Sequence, residues 1–293
     1  MTKKEIFRGV GTALITPFKN EKIDYSSLKE LINMQIDSGI DALVIGGTTG
    51  EAATLSDSER YELFSASKDF IGGRCKLIFG TGTNDTRKAI KHTEYASKIG
   101  CDGVLLVTPY YNRGTRDGVI KHYEAISDAS GVPMILYNVP SRTGVNLSID
   151  VLEVLAEREN ITGIKEASDS HDRLAELSAF GDKLYLYAGN DSALFSVLSL
   201  GGLGVISVVS NIFPRETIEI CKLFFANNRT ESLKKQQKLL PVINSLFLET
   251  NPAPIKYAMS RAGYCEADMR LPMWLPTEQS RRRIDEAIAK YKE

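Results

Sequence analysis

The groups in this chain best suited to covalent chemistry are one amine and a few hydroxyls. Lys165 directly follows Ile161-Thr162-Gly163-Ile164, an apolar run that reads as a buried strand. An ammonium at the mouth of such a strand is partly desolvated. Desolvation disfavours the charged form and makes the amine a nucleophile towards carbonyl carbon. The competing reading is a lysine that ends a strand in water or pairs with Glu166. Tyr137 ends another apolar run, 134–137, and could move protons while an imine forms, or be a packed aromatic with a satisfied hydroxyl. The turn Gly46-Gly47-Thr48-Thr49-Gly50 could point N–H groups at a carboxylate or phosphate, or be a tight turn without a ligand. It lacks the G-K-[ST] of a nucleotide P-loop. Arg142, in the punctuated loop Pro140-Ser141-Arg142-Thr143-Gly144, suits a bidentate grip on a carboxylate but also an ordinary surface position. Tyr110-Tyr111 fit an interface as well as a catalytic role.

Other chemistries lack their groups. The histidines His92, His122 and His171 show no C-x-x-C, H-E-x-x-H or H-x-H spacing, so no metal is expected. No G-x-S-x-G elbow supports a serine hydrolase. Gly201-Gly202-Leu203-Gly204 precedes a strand instead of following one, and so fails as a dinucleotide fingerprint. Cys75, Cys101, Cys221 and Cys265 are scattered and read as thiols. With 36 basic against 37 acidic residues, the 293-residue chain carries no footprint for nucleic acid. Met1-Thr2-Lys3-Lys4-Glu5-Ile6-Phe7 has no apolar h-region behind its lysines, and no apolar run nears the ~18 residues of a membrane helix. A cytoplasmic protein without membrane contact is expected.

Something must hold the amine and hydroxyls together. Short Val/Ile/Leu-rich runs at 11–15, 42–45, 76–79, 103–107, 134–137, 161–164, 184–187 and 204–208 alternate with amphipathic stretches. Ser56-Asp57-Ser58-Glu59 is a capping-box pattern, Pro214 suits a first helical turn, and Ser148 could cap another helix. Glycines at 39, 72–73, 100, 131, 181 and 201–202 suit helix ends. Eight even βα units predict an α/β fold, a (β/α)8 TIM barrel over residues 1–226, with a doubly wound sheet as the alternative. The polar clusters then all fall at the C-terminal ends of strands, where barrel chemistry sits. Residues 227–293 read as a helical extension packed on the barrel, with Leu233, Leu239, Leu240, Val242, Ile243, Leu246 and Phe247 at helical spacing. Asn251-Pro252-Ala253-Pro254 breaks it before another helix. The extension is expected to serve subunit packing instead of catalysis.

Together the segments GGTTGEAATL (46–55), VTPYYNR (107–113), YNVPSRTG (137–144), GIKEAS (163–168) and GVISV (204–208), with NPAPIK (251–256) and RLPMWL (270–275), resemble the dihydrodipicolinate synthase family over essentially the whole chain. The resemblance implies a homotetrameric, pyruvate-dependent class I aldolase of lysine biosynthesis by the diaminopimelate route, acting without a cofactor. Lys165 would form a Schiff base with pyruvate. Tyr137, Thr48 and Tyr111 would relay protons, Tyr111 in a neighbouring subunit's site. Thr48 and Thr49 would hold the pyruvate carboxylate, and Arg142 the carboxylate of L-aspartate 4-semialdehyde. Gly189 and Ile206 match positions whose carbonyls face the site. N-acetylneuraminate lyase is the related alternative, and the Thr48-Thr49 pair and Arg142 favour the synthase. A barrel that binds a carboxylate without turning it over is disfavoured by intact Lys165, Tyr137 and Thr48. Members inhibited by lysine bind it at positions matching Ala52, Ala53, Asp57, Arg60, Asn84, Lys88 and Tyr110. A cation at Lys88 should repel an ammonium ligand, so weak or absent lysine feedback is expected.

Overall fold

The computed structural model describes residues 3–168 and 170–293. Strands β1 (Gly9–Ala13), β2 (Ala42–Ile45), β3 (Lys76–Gly80), β4 (Gly103–Val107), β5 (Met134–Asn138), β6 (Ile161–Glu166), β7 (Tyr185–Ala188) and β8 (Gly204–Ser207) form a closed parallel barrel in chain order. A helix follows each strand: α1 (Tyr25–Asp37), α2 (Asp57–Ile71), α3 (Thr86–Ile99), α4 (Arg116–Ala129), α5 (Ile149–Ala156), α6 (His171–Ser178), α7 (Leu194–Ser199) and α8 (Pro214–Phe225). Then come α9 (Arg229–Ser245), α10 (Ala253–Arg261) and α11 (Glu278–Lys292). Parallel strands need such crossovers, and the strands are buried on both faces because helices cover the outside.

The local signals work as the residue types dictate. Ser56 accepts the Glu59 N–H while Glu59 accepts the Ser56 N–H, closing a capping box on α2. Pro214 opens α8, where its missing N–H costs nothing. Ser148 does precede α5, but its hydroxyl goes to Asp150 and not to the backbone. Of the expected terminators, Gly131 and Gly202 lack a left-handed backbone; Ser130 ends α4 in extended conformation, and Gly201 takes the left-handed position before Gly202. A two-residue antiparallel ladder, Phe18–Lys19 with Lys22–Ile23, lies between β1 and α1 and leaves no trace in the apolar pattern. The first strand starts at Gly9, earlier than expected, because Asp41 accepts the Val10 N–H at 2.8 Å and the pairing with β8 begins at Gly9–Gly204.

Two apolar layers result. The larger packs the strands' outer faces against the helices. The smaller fills the barrel with Phe7, Ala13, Val44, Ile78, Ile135, Tyr137, Tyr187 and Ile206, among others. Phe7 stacks on Tyr187 with ring centroids 4.6 Å apart, and the Tyr187 hydroxyl donates to the Phe7 carbonyl at 2.7 Å. A Cβ at Gly163 would lie 3.2 Å from the Tyr187 ring, so the missing side chain two residues before Lys165 makes room for that aromatic floor.

Strand β6 runs to Glu166, beyond its expected end, because Asn138–Glu166 continues the β5–β6 register. Adjacent strand residues face opposite ways. Lys165 therefore points into the barrel and Glu166 out of it. Glu166 is wholly buried, accepting from Arg173 Nε at 2.8 Å, from Asn138 Nδ2 at 2.9 Å to each oxygen, and from the Ser168 N–H at 2.8 Å. It does not pair with Lys165, which disposes of the ion-pair reading. Removing one partner of a buried pair strands the other charge. Arg173→Met is expected to lower unfolding free energy by about 3–5 kcal/mol in urea denaturation.

Candidate active site

Lys165 lies on β6 beside Tyr137 of β5, its register partner, and its Nζ stands 4.3 Å from the centroid of the Tyr137 ring. Only 5% of the lysine is exposed. Burial pushes its amine down to about 8, opposed by the facing Asp191 carboxylate and assisted by the Arg142 charge. Burial also raises the Tyr137 hydroxyl above the usual phenol range, against Arg142 and a hydrogen bond with the Thr48 side chain. Amine, phenol and threonine hydroxyl thus form one connected group at the barrel mouth.

Two adjoining cavities share Tyr137, Arg142 and Asn251 as walls. The smaller, about 300 Å³, holds Lys165, Thr49, Gly189 and Asp191. The larger, about 650 Å³, holds Thr48 and all seven positions named for a lysine site: Ala52, Ala53, Asp57, Arg60, Asn84, Lys88 and Tyr110. Arg60 there donates to the carbonyls of Gly80 at 3.0 Å and Ala52 at 2.7 Å. Burial, then the Arg60 charge, lowers His92 to about 4, so it is neutral at pH 7.

The turn after β2 is anchored from outside the barrel. Asn251 Nδ2 donates to Thr49 Oγ1 at 3.0 Å, and the Asn251 carbonyl accepts from Arg142 Nη2 at 2.8 Å. One residue from the segment before α10 therefore touches two of the three expected carboxylate binders, Thr49 and Arg142. The helical extension, expected only to pack, supplies part of the site. Asp191 stands in the turn just after β7. Its Oδ2 accepts the Val208 and Val209 N–H groups at 3.0 and 3.1 Å, and burial raises its carboxyl. Nothing in the local spacing of either residue marks it, because the chain brings them in from distant elements.

Two expected residues stand apart. Ile206 is wholly buried in the barrel layer and lines neither cavity. Tyr111 is 90% exposed, with a left-handed backbone at φ 69°, and lies outside both cavities. Gly189 does face the smaller cavity, and a Cβ there would meet the Glu166 carbonyl oxygen at 2.7 Å. Among the described residues, no group of three or more His, Cys, Asp or Glu side chains is arranged to hold a metal ion. None of those helices is long and apolar enough to cross a membrane.

A desolvated lysine under a tyrosine at the C-terminal mouth of a (β/α)8 barrel defines an imine-forming lyase of the class I aldolase type. The dihydrodipicolinate synthetase family profile matches residues 6–291, and the chain belongs to that family. A 4-hydroxy-tetrahydrodipicolinate synthase from Clostridium novyi (strain NT) is 45% identical, covering 98% of this chain and 97% of its own. Among solved structures, the dihydrodipicolinate synthase of Thermotoga maritima superposes with a TM-score of 0.96 at 38% identity, covering 98% of this chain and 99% of its own. The 4-hydroxy-tetrahydrodipicolinate synthase of Methylacidiphilum fumariolicum SolV gives 0.95 at 39%, covering 97% and 96%.

Only the neutral amine attacks a carbonyl, so labelling of Lys165 by an amine-directed reagent should rise through a midpoint near 8. Asp191→Asn removes the charge that favours the ammonium, and should move that midpoint to lower pH. Mass spectrometry of the Lys165 peptide across pH measures both.

Proposed function

We propose that this chain carries the activity named for its relatives, condensing pyruvate with L-aspartate 4-semialdehyde in the diaminopimelate route to lysine. The observation that carries the reading is Lys165 buried beneath Tyr137 in a cavity walled by Thr49 and Arg142, two separate carboxylate-binding groups. The neutral amine adds to the keto carbon of pyruvate, and loss of water leaves a protonated imine. That imine withdraws electrons from the methyl group, which gives up a proton and becomes an enamine. The enamine carbon attacks the aldehyde of the second substrate. The amino group of that substrate then displaces Lys165 by transimination, closing the ring and freeing the enzyme.

Tyr137 and Thr48 move the protons in this scheme, supported by their shared hydrogen bond. Thr48 and Thr49 hold the ketoacid carboxylate, and Arg142 that of the semialdehyde. Gly189 keeps the carbonyl role the resemblance implies, in the cavity wall, whereas for Ile206, outside both cavities, that role rests on the resemblance alone. Tyr111 completes the relay from a second copy. Its near-complete exposure and absence from its own chain's cavities support that role. The homotetramer, a dimer of dimers, would cover this tyrosine, and exposed Leu271 and Trp274 give such contacts apolar area. The division into a catalytic barrel, 1–226, and an extension, 227–293, and the cytoplasmic location belong to the same reading.

A coupled assay separates this activity from its relative. Turnover is expected with pyruvate and L-aspartate 4-semialdehyde and none with N-acetylneuraminate; the reverse pattern would assign the lyase. In the same assay sub-millimolar L-lysine should leave the rate nearly unchanged. Lys88, Arg60 and Arg142 place three cations on that cavity with neutral His92, opposed by Asp57, Asp85 and a Glu51 already paired with Lys256, and strong inhibition would contradict this.

A further inference from the structure

The ion pair between Glu51 and Lys256 takes no part in the chemistry proposed above, yet it is the most deeply buried charge pair among the described residues. Lys256 Nζ lies 2.5 Å from Glu51 Oε1, with the side chains 0% and 1% exposed. Glu51 ends the turn after β2, and Lys256 lies in α10. The second Glu51 oxygen accepts the Arg270 backbone N–H at 3.1 Å, and the Lys256 ammonium stands 4.3 Å from the centroid of the Phe18 ring.

Taking two charges out of water is costly, and an apolar pair of similar volume often serves stability as well or better. Stability alone does not account for the pair. What an ion pair adds is direction, since it is satisfied in a narrow range of geometry. Direction matters at Glu51, whose backbone is left-handed at φ 55°. A side-chain-bearing residue enters that region at a cost and stays there when its surroundings over-determine it. Its N–H closes on the Thr48 carbonyl at 3.1 Å, and the next N–H, of Ala52, reaches the Gly47 carbonyl at 3.3 Å. The tilt of residues 47–51 therefore follows where Glu51 is held. That turn presents Thr48 to Tyr137 and Thr49 to the Lys165 cavity. The α10 region grips it twice, through Asn251 on Thr49 and Lys256 on Glu51.

We propose that Glu51 and Lys256 are positioning residues that hold the 46–51 turn in register for the carboxylate of the ketoacid, making pyruvate affinity depend on α10. This rests on the reading that Thr48 and Thr49 receive that carboxylate. The pair acts through the threonines and touches no substrate itself.

The test uses the full-length protein with Glu51→Gln and Lys256→Met together, which removes both charges and leaves no unpaired ion. Thermal melting, kcat, and KM for each substrate are measured beside the unaltered protein. The expected result is a cooperative melt, KM for pyruvate raised by about tenfold or more, kcat lowered with it because Thr48 sits on the same turn, and the semialdehyde KM within about threefold. A folded double variant with unaltered pyruvate KM overturns the proposal. If that variant does not fold, Glu51→Gln alone, which keeps an acceptor for Lys256, is read by the same criteria. Failure of both to fold also overturns it, because the pair then supports the fold and not the turn. An unaltered protein that condenses nothing removes the underlying reading and this inference together. Normal turnover with an unmoved variant KM removes the inference alone.

Discussion

Burial of the Lys165 amine is the constraint around which the rest of the barrel is arranged. The folded chain binds that proton less tightly than the unfolded chain, with the amine lowered from 10.5 to about 8. Folding must therefore bear the difference wherever the unfolded lysine is charged. At 1.36 kcal/mol per pK unit this costs about 3 kcal/mol below pH 8, and the cost fades as pH rises towards 10.5. The surroundings fit that demand. Phe7, Tyr187 and the space left by Gly163 make an aromatic floor, so the side chain opens towards the barrel mouth. Asp191, held by two backbone N–H groups, keeps the depression from going further.

Charge is sorted by the strand's alternation. Lys165 faces inward to dry space and one opposing carboxylate, whereas Glu166 faces outward to Arg173 and Asn138, which satisfy it fully. Were Glu166 to turn inward, its charge would favour the ammonium and silence the nucleophile. The outward network also fixes the end of β6, and with it the height of Lys165 in the mouth. The helical extension belongs to this arrangement as much as the barrel does, because Asn251 and Lys256 reach back to the turn that faces the amine.

Much of this was legible in the sequence. The alternation of apolar runs and amphipathic stretches revealed all eight barrel strands, because strands covered on both faces read as continuous Val/Ile/Leu segments. Local capping chemistry at Ser56 and Pro214 was legible for the same reason: the partners lie within one turn. The polar ends of the strands led to Lys165, Tyr137, Thr48, Thr49 and Arg142, which the structure brings around two joined cavities. The pairing of Glu166 with Arg173 is not legible in the sequence because β6 runs two residues past its apolar stretch. Asn251 and Lys256 were missed because their partners lie about two hundred residues earlier, beyond any local pattern. Tyr111 reads from the sequence as an interface or a catalytic aromatic, the resemblance alone gives it a relay role, and a single chain gives it no place in its own cavities.

The central claim is that the depressed amine of Lys165 forms an imine with a ketoacid. Reduction with borohydride in the presence of pyruvate, followed by peptide mass mapping, tests it most directly. The account predicts one reduced adduct, on Lys165, growing with pH through about 8. An adduct on another lysine such as Lys256, or none at all, would contradict it.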